Sequence, residues 1–293
     1  MRDQLRRWGL LSPALAILGL FVVAPLGFMA FVSTLDRGPQ GTVVWDRHSL
    51  DAYVQFLFER DLMGRLTINT DYLRIFSRSI LLAGLTTVLT LLIGFPTALW
   101  MAFQPLSRRG FLVFIVTVPF WTNLLVRNFA WILLLRDGGV IDSTLRGLGL
   151  TSGPMEVLYT PFATSIGLTY SFLPFMILPI YVSLEKLDRR LIEAAFDLGA
   201  DRWRALRRII LPLATPGIVA GAILVFVPGL GAFISPELLG GAKSMMIGNL
   251  IQEQFGQSRN WPFGAALAFV LLALVLLALW LHSLRFRRER AQP

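Results

Sequence analysis

The sequence predicts an all-α membrane protein of six transmembrane helices, with one helical element standing out of the bilayer between the fourth and the fifth. Three observations lead there. Hydrophobic residues fill 55% of 293 positions, charged residues only 15%, and mean hydropathy is +0.64, whereas a soluble domain carries about 25% charged residues. The apolar residues run in long blocks and not at a period of 2 or 3.6, which favours membrane spans over the core of a large soluble all-α protein. One stretch, 184–212, interrupts those blocks with a dense run of charge.

A helix rises about 1.5 Å per residue, so a hydrocarbon core of about 30 Å takes roughly 20 residues to cross. Six stretches are long enough: Leu10–Val32, Ile75–Phe103, Phe111–Leu135, Phe162–Ser183, Leu213–Ile234 and Phe263–Leu284. The first resembles a signal peptide in having Arg2, Arg6 and Arg7 ahead of an apolar run. It is longer than an ordinary signal core and no small-x-small cleavage site follows, so it reads as a retained first helix. The whole chain, 1–293, is then one transmembrane domain.

Lysine and arginine set the orientation. The N-terminus, the turn with Arg108 and Arg109, the 184–212 segment and the tail with Arg285, Arg287, Arg288 and Arg290 carry sixteen of them on one side. The opposite side has nine over much longer loops: Arg37, Arg47, Arg60, Arg65, Arg74, Arg136, Arg146, Lys243 and Arg259. The positive-inside rule places both termini in the cytoplasm, as six spans require. The 34–74 loop is then outside and long enough for short helices, and the Gly-rich 235–262 loop is outside as well.

The net charge of +9 points to membrane anchoring and not to nucleic acid, because the basic residues flank apolar spans. With no cysteine, disulfides and thiolate metal sites are excluded, and His48 and His282 stand in no ligand spacing. No catalytic triad, metal-ligating set or H-E-x-x-H motif is present, so the residues offer no sign of an enzyme active site. Gly240-Gly241-Ala242-Lys243-Ser244 fails as a phosphate loop, since Ala242 and Glu237 stand where glycines are needed, and Gly229-x-Gly231 fails as a dinucleotide fingerprint at Ile234. No nucleotide site is legible.

The charged interruption reads as helix, turn, helix. Leu187 to Leu198 has good helix formers with apolar residues at helical spacing. Gly199 suits the left-handed position after a helix end, and Asp201 suits the N-cap of a second helix, Arg202 to Ile210, which Leu211-Pro212 closes. Small residues at Ala194, Ala195, Gly199 and Ala200 permit close approach of another protein, and Glu193 offers it a charge. Physics alone leaves two readings open: a docking element, or a solvated loop between spans.

Glu193-Ala194-Ala195, then Gly199 after three residues, then Ile209-Ile210-Leu211-Pro212 after nine more, resembles the EAA loop of bacterial ABC-importer permeases, with every fixed position filled. Leu239 to Ile251, Asn260 to Ala266, Pro119-Phe120-Trp121 and Leu125-Val126-Arg127 look like the spermidine/putrescine permease subfamily. The resemblance implies a type I ABC importer permease fold in a bacterial inner membrane, with 187–212 as the coupling segment. It further implies a homologous second permease subunit, an ABC ATPase dimer that receives the coupling helix, and an extracytoplasmic solute-binding protein. The cargo implied is a polyamine, or otherwise an organic cation, an amino-acid derivative or an inorganic ion. An ion-coupled secondary transporter, the rival class, would show intramembrane carboxylates or a repeated half, and neither is found.

Pathway residues are harder to single out. Arg127 sits within the third expected span, where an ionisable group is costly; it either pairs with a carbonyl or a partner's carboxylate, or lines the path. Trp100, Trp121, Tyr170 and Phe172 offer faces for cation–π contact, and Glu237 a carboxylate at the outer mouth. Trp and Tyr near span ends equally serve as interfacial anchors. Pro96, Pro174, Pro179, Pro216 and Pro228 fall inside spans; Pro228-Gly229 is the best hinge candidate, a static kink being the alternative.

Overall fold

The apolar blocks fold as helices because a span in hydrocarbon has no other place for its backbone hydrogen bonds. A computed structural model describes residues 11–38, 41–60, 66–151 and 153–290. Arg2, Arg6, Arg7, Leu10 and Arg65 lie outside the described residues, as do the side chains of Arg60, Ala242, Lys243 and residues 281–290. Chain order is α1 (Leu11–Ser33), β1 (Leu35–Arg37), β2 (Val43–His48), α2 (Asp51–Leu57), β3 (Phe58–Arg60), β4 (Leu66–Ile68) and α3 (Thr70–Ala102). Then follow α4 (Leu106–Thr117), α5 (Leu124–Leu135), α6 (Val140–Gly147), α7 (Pro161–Glu185), α8 (Arg189–Asp197) and α9 (Arg202–Leu230). The chain ends with α10 (Ile234–Gly240), α11 (Ile247–Phe255) and α12 (Trp261–Arg290).

Five helices among the described residues are long and apolar enough to cross a membrane: α1, α3, α7, α9 and α12. Their limits agree with five of the six expected spans to within a few residues at most ends. Much of their apolar surface is outward, with Phe21 72%, Leu81 71% and Leu92 65% exposed, which suits hydrocarbon as solvent. Several hydroxyls inside them bond their own preceding turn: Thr87 donates to Ala83 C=O, Thr97 to Ile93 C=O and Thr215 to Leu211 C=O. That removes the cost of an unmet polar group in lipid.

The third expected span, Phe111–Leu135, is not one straight helix. It is α4, a 3-10 turn Val118–Trp121, and α5, and the axis bends by 89° at the break. Pro119 supplies no N–H, and Thr122 and Asn123 are extended. Asn123 then caps α5 by accepting from Leu125 N–H at 2.8 Å. The fifth span also differs from expectation. Leu211-Pro212 does not close a helix, because Arg202–Leu230 runs through it. A π turn at Leu206–Ile210, with Leu211 N–H on Leu206 C=O, widens the helix just ahead of the residue that cannot donate.

Contacts divide the chain into two units: residues up to Arg74 with those from Leu250 onward, and Ile75–Asn249. In the first, the 34–74 stretch forms two antiparallel hairpins, β1–β2 and β3–β4, around α2. Tyr53 bonds Ser33 at 2.8 Å, Arg37 donates to Ser258 C=O at 2.9 Å, and Tyr72 stacks near Phe263. In the second, α7 and α9 make the closest packing. A Cβ on Gly217 would overlap the Pro179 carbonyl, and one on Gly221 would lie 2.8 Å from Met176 sulfur, so glycine lets the two helix backbones meet. The core beside that crossing holds Ala98, Met101, Met176, Ile180, Ala214 and Val225, and it extends to Ile192 and Ile210 of the charged segment.

Candidate functional site

The segment after α7 builds a turn whose ends are satisfied from within. Asp188 caps α8 by accepting from Arg190 N–H at 3.0 Å. At the other end Gly199 N–H bonds Phe196 C=O and Ala200 N–H bonds Ala195 C=O, both at 2.9 Å, the paired pattern of a Schellman motif. Gly199 has φ +81°, and a Cβ there would touch nothing. Glycine is therefore required by backbone conformation and not by space. Asp201 opens α9, accepting from Arg204 N–H at 2.7 Å.

Burial divides this element in two. Ile192, Ala205 and Ile210 are buried against the membrane helices. Glu193, Ala194, Phe196, Leu198, Gly199 and Trp203 are exposed, Leu198 at 88% and Trp203 at 65%. Ala195 and Ala200 are half-buried, and Leu211 and Pro212 are exposed on α9. Phe196, Leu198 and Trp203 thus stand as large apolar side chains turned outward on a charge-rich stretch.

The second feature is a cavity of about 220 Å³ at the α4–α5 break. It is lined by Phe120 and Arg127, by Phe172 and Phe175 of α7, and by Pro228 and Gly231 to Ser235 around the end of α9, Ala232 and Phe233 among them. Phe120 meets Phe175 edge-on at 4.7 Å. Arg127 Nε and Nη1 are buried with no hydrogen-bond partner among the described residues, as is Oδ1 of Asn128.

Of the pathway residues expected from sequence, the structure brings Arg127, Phe172 and Pro228 to this cavity. Gly229 is buried behind it, facing Ala83. The Pro228-Gly229 pair lies at the end of α9, which stops at Leu230 and not at Ile234. Trp100, Trp121 and Glu237 are exposed elsewhere, Trp121 at 81%, and Tyr170 packs edge-on against Trp131 at 5.7 Å. None of these four lines the cavity. Phe120, Phe175 and Phe233 do, and sequence reasoning missed them because a Phe facing lipid and a Phe facing a cavity look alike in a hydropathy profile.

Outside the apolar segments, Asp142 of α6 is fully buried. It accepts from Gly138 N–H at 2.9 Å, from Arg146 Nε at 3.1 Å and from Met155 N–H at 3.2 Å. The Gly138 bond, aided by the Arg146 guanidinium against the opposing effect of burial, holds its carboxyl below the usual carboxylate range.

Residues 85–290 match the model of the family described as binding-protein-dependent transport system inner membrane component. The chain belongs to that family. It is 44% identical to the spermidine/putrescine transport system permease protein PotB of Haemophilus influenzae, over 73% of this chain and 75% of the relative. It is 41% identical to PotB of Escherichia coli (strain K12), over 79% and 85%. Among solved structures, a bacterial alginate ABC transporter bound to its periplasmic protein is similar in fold, with TM-score 0.65 and 20% identity, covering 94% of this chain and 93% of that one. The chain is thus a membrane permease of the ABC-transporter class with the type I importer fold, and it is not itself an enzyme.

Proposed function

We propose that this permease carries polyamines of the spermidine and putrescine class inward, by alternating access, with both termini in the cytoplasm. It works beside a homologous second permease, two copies of an ABC ATPase that bind ATP and Mg, and an extracytoplasmic binding protein. Segment 187–212 is the dock for that ATPase. The observation that carries this reading is the Gly199 turn, which presents Phe196, Leu198 and Trp203 outward while Ile192 and Ile210 stay in the membrane core. The cargo is supported by the 41–44% identity to the PotB proteins.

The coupling reading is tested by Gly199→Val, with Glu193, Ala194, Ala195, Ala200, Leu211 and Pro212 left in place. A β-branched residue at positive φ costs roughly 1–3 kcal/mol and reshapes the turn. Spermidine uptake is expected to fall to background while the protein stays at its normal level in the membrane. Normal uptake at normal level would falsify the dock.

A second cargo is favoured by one feature, Arg127 in the cavity, since a polycation would avoid an unpaired guanidinium and a carboxylate would seek it. Competition of labelled spermidine uptake by unlabelled spermidine, against competition by amino-acid derivatives, decides between them.

A further inference from the structure

Where α3 ends, its last carbonyls have no helical partners, and two arginines take them. Arg109 donates from Nη2 to Ala102 C=O at 2.8 Å and from Nε to Gln104 C=O at 2.9 Å, and its Nη1 lies 3.8 Å from Glu185. Glu185 in turn accepts from the Tyr181 hydroxyl at 2.8 Å. Arg109 therefore belongs to the α3–α4 turn. Arg189 comes from elsewhere in the chain. Its Nη2 donates to Phe103 C=O at 3.0 Å and approaches Ala102 C=O at 3.4 Å, and its guanidinium sits 5.5 Å from the Phe103 ring centroid.

Arg189 is the first residue of α8, directly after the Asp188 cap. A cation in that first turn faces the positive end of its own helix dipole, which is unfavourable; the same cation at the C-terminal end of α3 is favourable. Its charge is thus explained by α3 and not by α8. One nitrogen, Nη2, reaches both neighbouring carbonyls while the planar guanidinium lies near an aromatic ring, a pairing that a compact ammonium reproduces only in part.

We infer that Arg189 is the positioning residue that ties the α8 dock to the end of α3, so that movement of α8 is passed to that transmembrane helix. The inference rests on the proposed role of 187–212 as the ATPase dock. Ile192, one turn further along α8, holds the same helix to the core through apolar contact. Two attachments on one short helix resist rotation, where Ile192 alone would leave a pivot. Arg189 bonds the end of α3 from the first turn of α8, whereas Leu198 and Trp203 stand exposed beyond the other end of α8, so its loss severs transmission and spares docking.

The test uses the assembled transporter in proteoliposomes, with spermidine uptake and ATP hydrolysis measured together. Arg189→Ala is expected to co-purify with its ATPase at wild-type stoichiometry but to lower uptake per ATP hydrolysed about tenfold, and Arg189→Lys to recover part of that loss. Arg109→Ala, which frees Ala102 and Gln104 C=O and leaves the Arg189–Phe103 bond in place, is expected to lower thermal stability and leave the ratio alone. An unchanged ratio in Arg189→Ala overturns the inference, as does an equal fall in Arg109→Ala. If Gly199→Val is defective while Arg189→Ala is normal, the dock stands and only the Arg189 tie is lost. If ATPase co-purification itself disappears in Arg189→Ala, the separation of tie from dock is wrong.

Discussion

The Gly199 turn and the Arg127 cavity are opposite kinds of site. The turn is closed in its hydrogen bonding: two aspartate caps and a paired helix end answer its free backbone groups within fourteen residues, 188–201. The cavity is open in the same sense, with Nε and Nη1 of Arg127 buried and unanswered among the described residues. A completed turn keeps its shape under load, which suits force transmission. An uncompleted pocket waits on something that arrives, either cargo or a neighbouring chain. Substitutions in the two places should therefore have opposite signs on stability.

The largest effect is expected at the completed site. Gly199→Val should abolish uptake, as above, and in the isolated subunit should also lower the thermal midpoint, since nothing nearby offsets roughly 1–3 kcal/mol of backbone strain. If the midpoint holds and uptake still fails, the valine acts on the partner surface and not on the turn's conformation.

At the open site the sign reverses. Arg127→Met keeps volume and removes two buried donors that no described residue accepts, so the isolated subunit in detergent should gain about 1–3 kcal/mol. Thermal unfolding read by intrinsic Trp fluorescence measures it. A lower midpoint would mean that the guanidinium has a partner in the isolated chain and that the contrast fails. In the assembled transporter the same variant is expected to lose stability or uptake, because the group that meets Arg127 then has no counterion.

How much of each site could be read beforehand follows from the same contrast. Caps and a positive-φ glycine are chemistry of adjacent residues, so Asp201, Gly199 and the helices beside them were legible in sequence. The cavity gathers Phe120 to Arg127, Leu168 to Phe175 and Pro228 to Ser235, and no local pattern states which phenylalanine faces which. Five spans were legible from apolar length alone. The break at Pro119 to Asn123 was not, because a hydropathy window averages across five residues that a proline and an asparagine cap take out of the helix. The π turn ahead of Pro212 left no sequence signal beyond the proline itself. The Arg189 tie was hidden for another reason, since its acceptors are backbone carbonyls more than eighty residues away.

A smaller effect tests whether the turn is as complete as its hydrogen bonds suggest. Asp201→Ala removes the acceptor for Arg204 N–H, and loss of such a cap costs about 1 kcal/mol. Amide exchange at Arg202 to Ala205 should rise about fivefold, with uptake reduced and not abolished. Loss of uptake as complete as in Gly199→Val would make the start of α9, and not the glycine turn, the critical feature.

The smallest effect near neutral pH, and the last to separate the two kinds of site, concerns Asp142. Its folded-state carboxyl titrates below the usual carboxylate range, so its stabilisation of the 136–155 loop is fully present above the unfolded value and is lost as pH falls through the lower folded one. Between pH 8 and 5 the loop should therefore hold constant protection from hydrogen exchange, and protection should fall only below about pH 4. Asp142→Asn keeps an acceptor for Gly138 N–H but gives up the charge facing Arg146, and should show weaker protection with no acid transition. Like the Gly199 turn, this loop answers its buried carboxylate from within, by Gly138 and Met155 N–H and Arg146 Nε. An acid transition that persists in Asp142→Asn would assign it to Asp137, the other carboxylate within 2.7 Å of Arg146, and would place the loop's stability in the surface pair and not in the buried one.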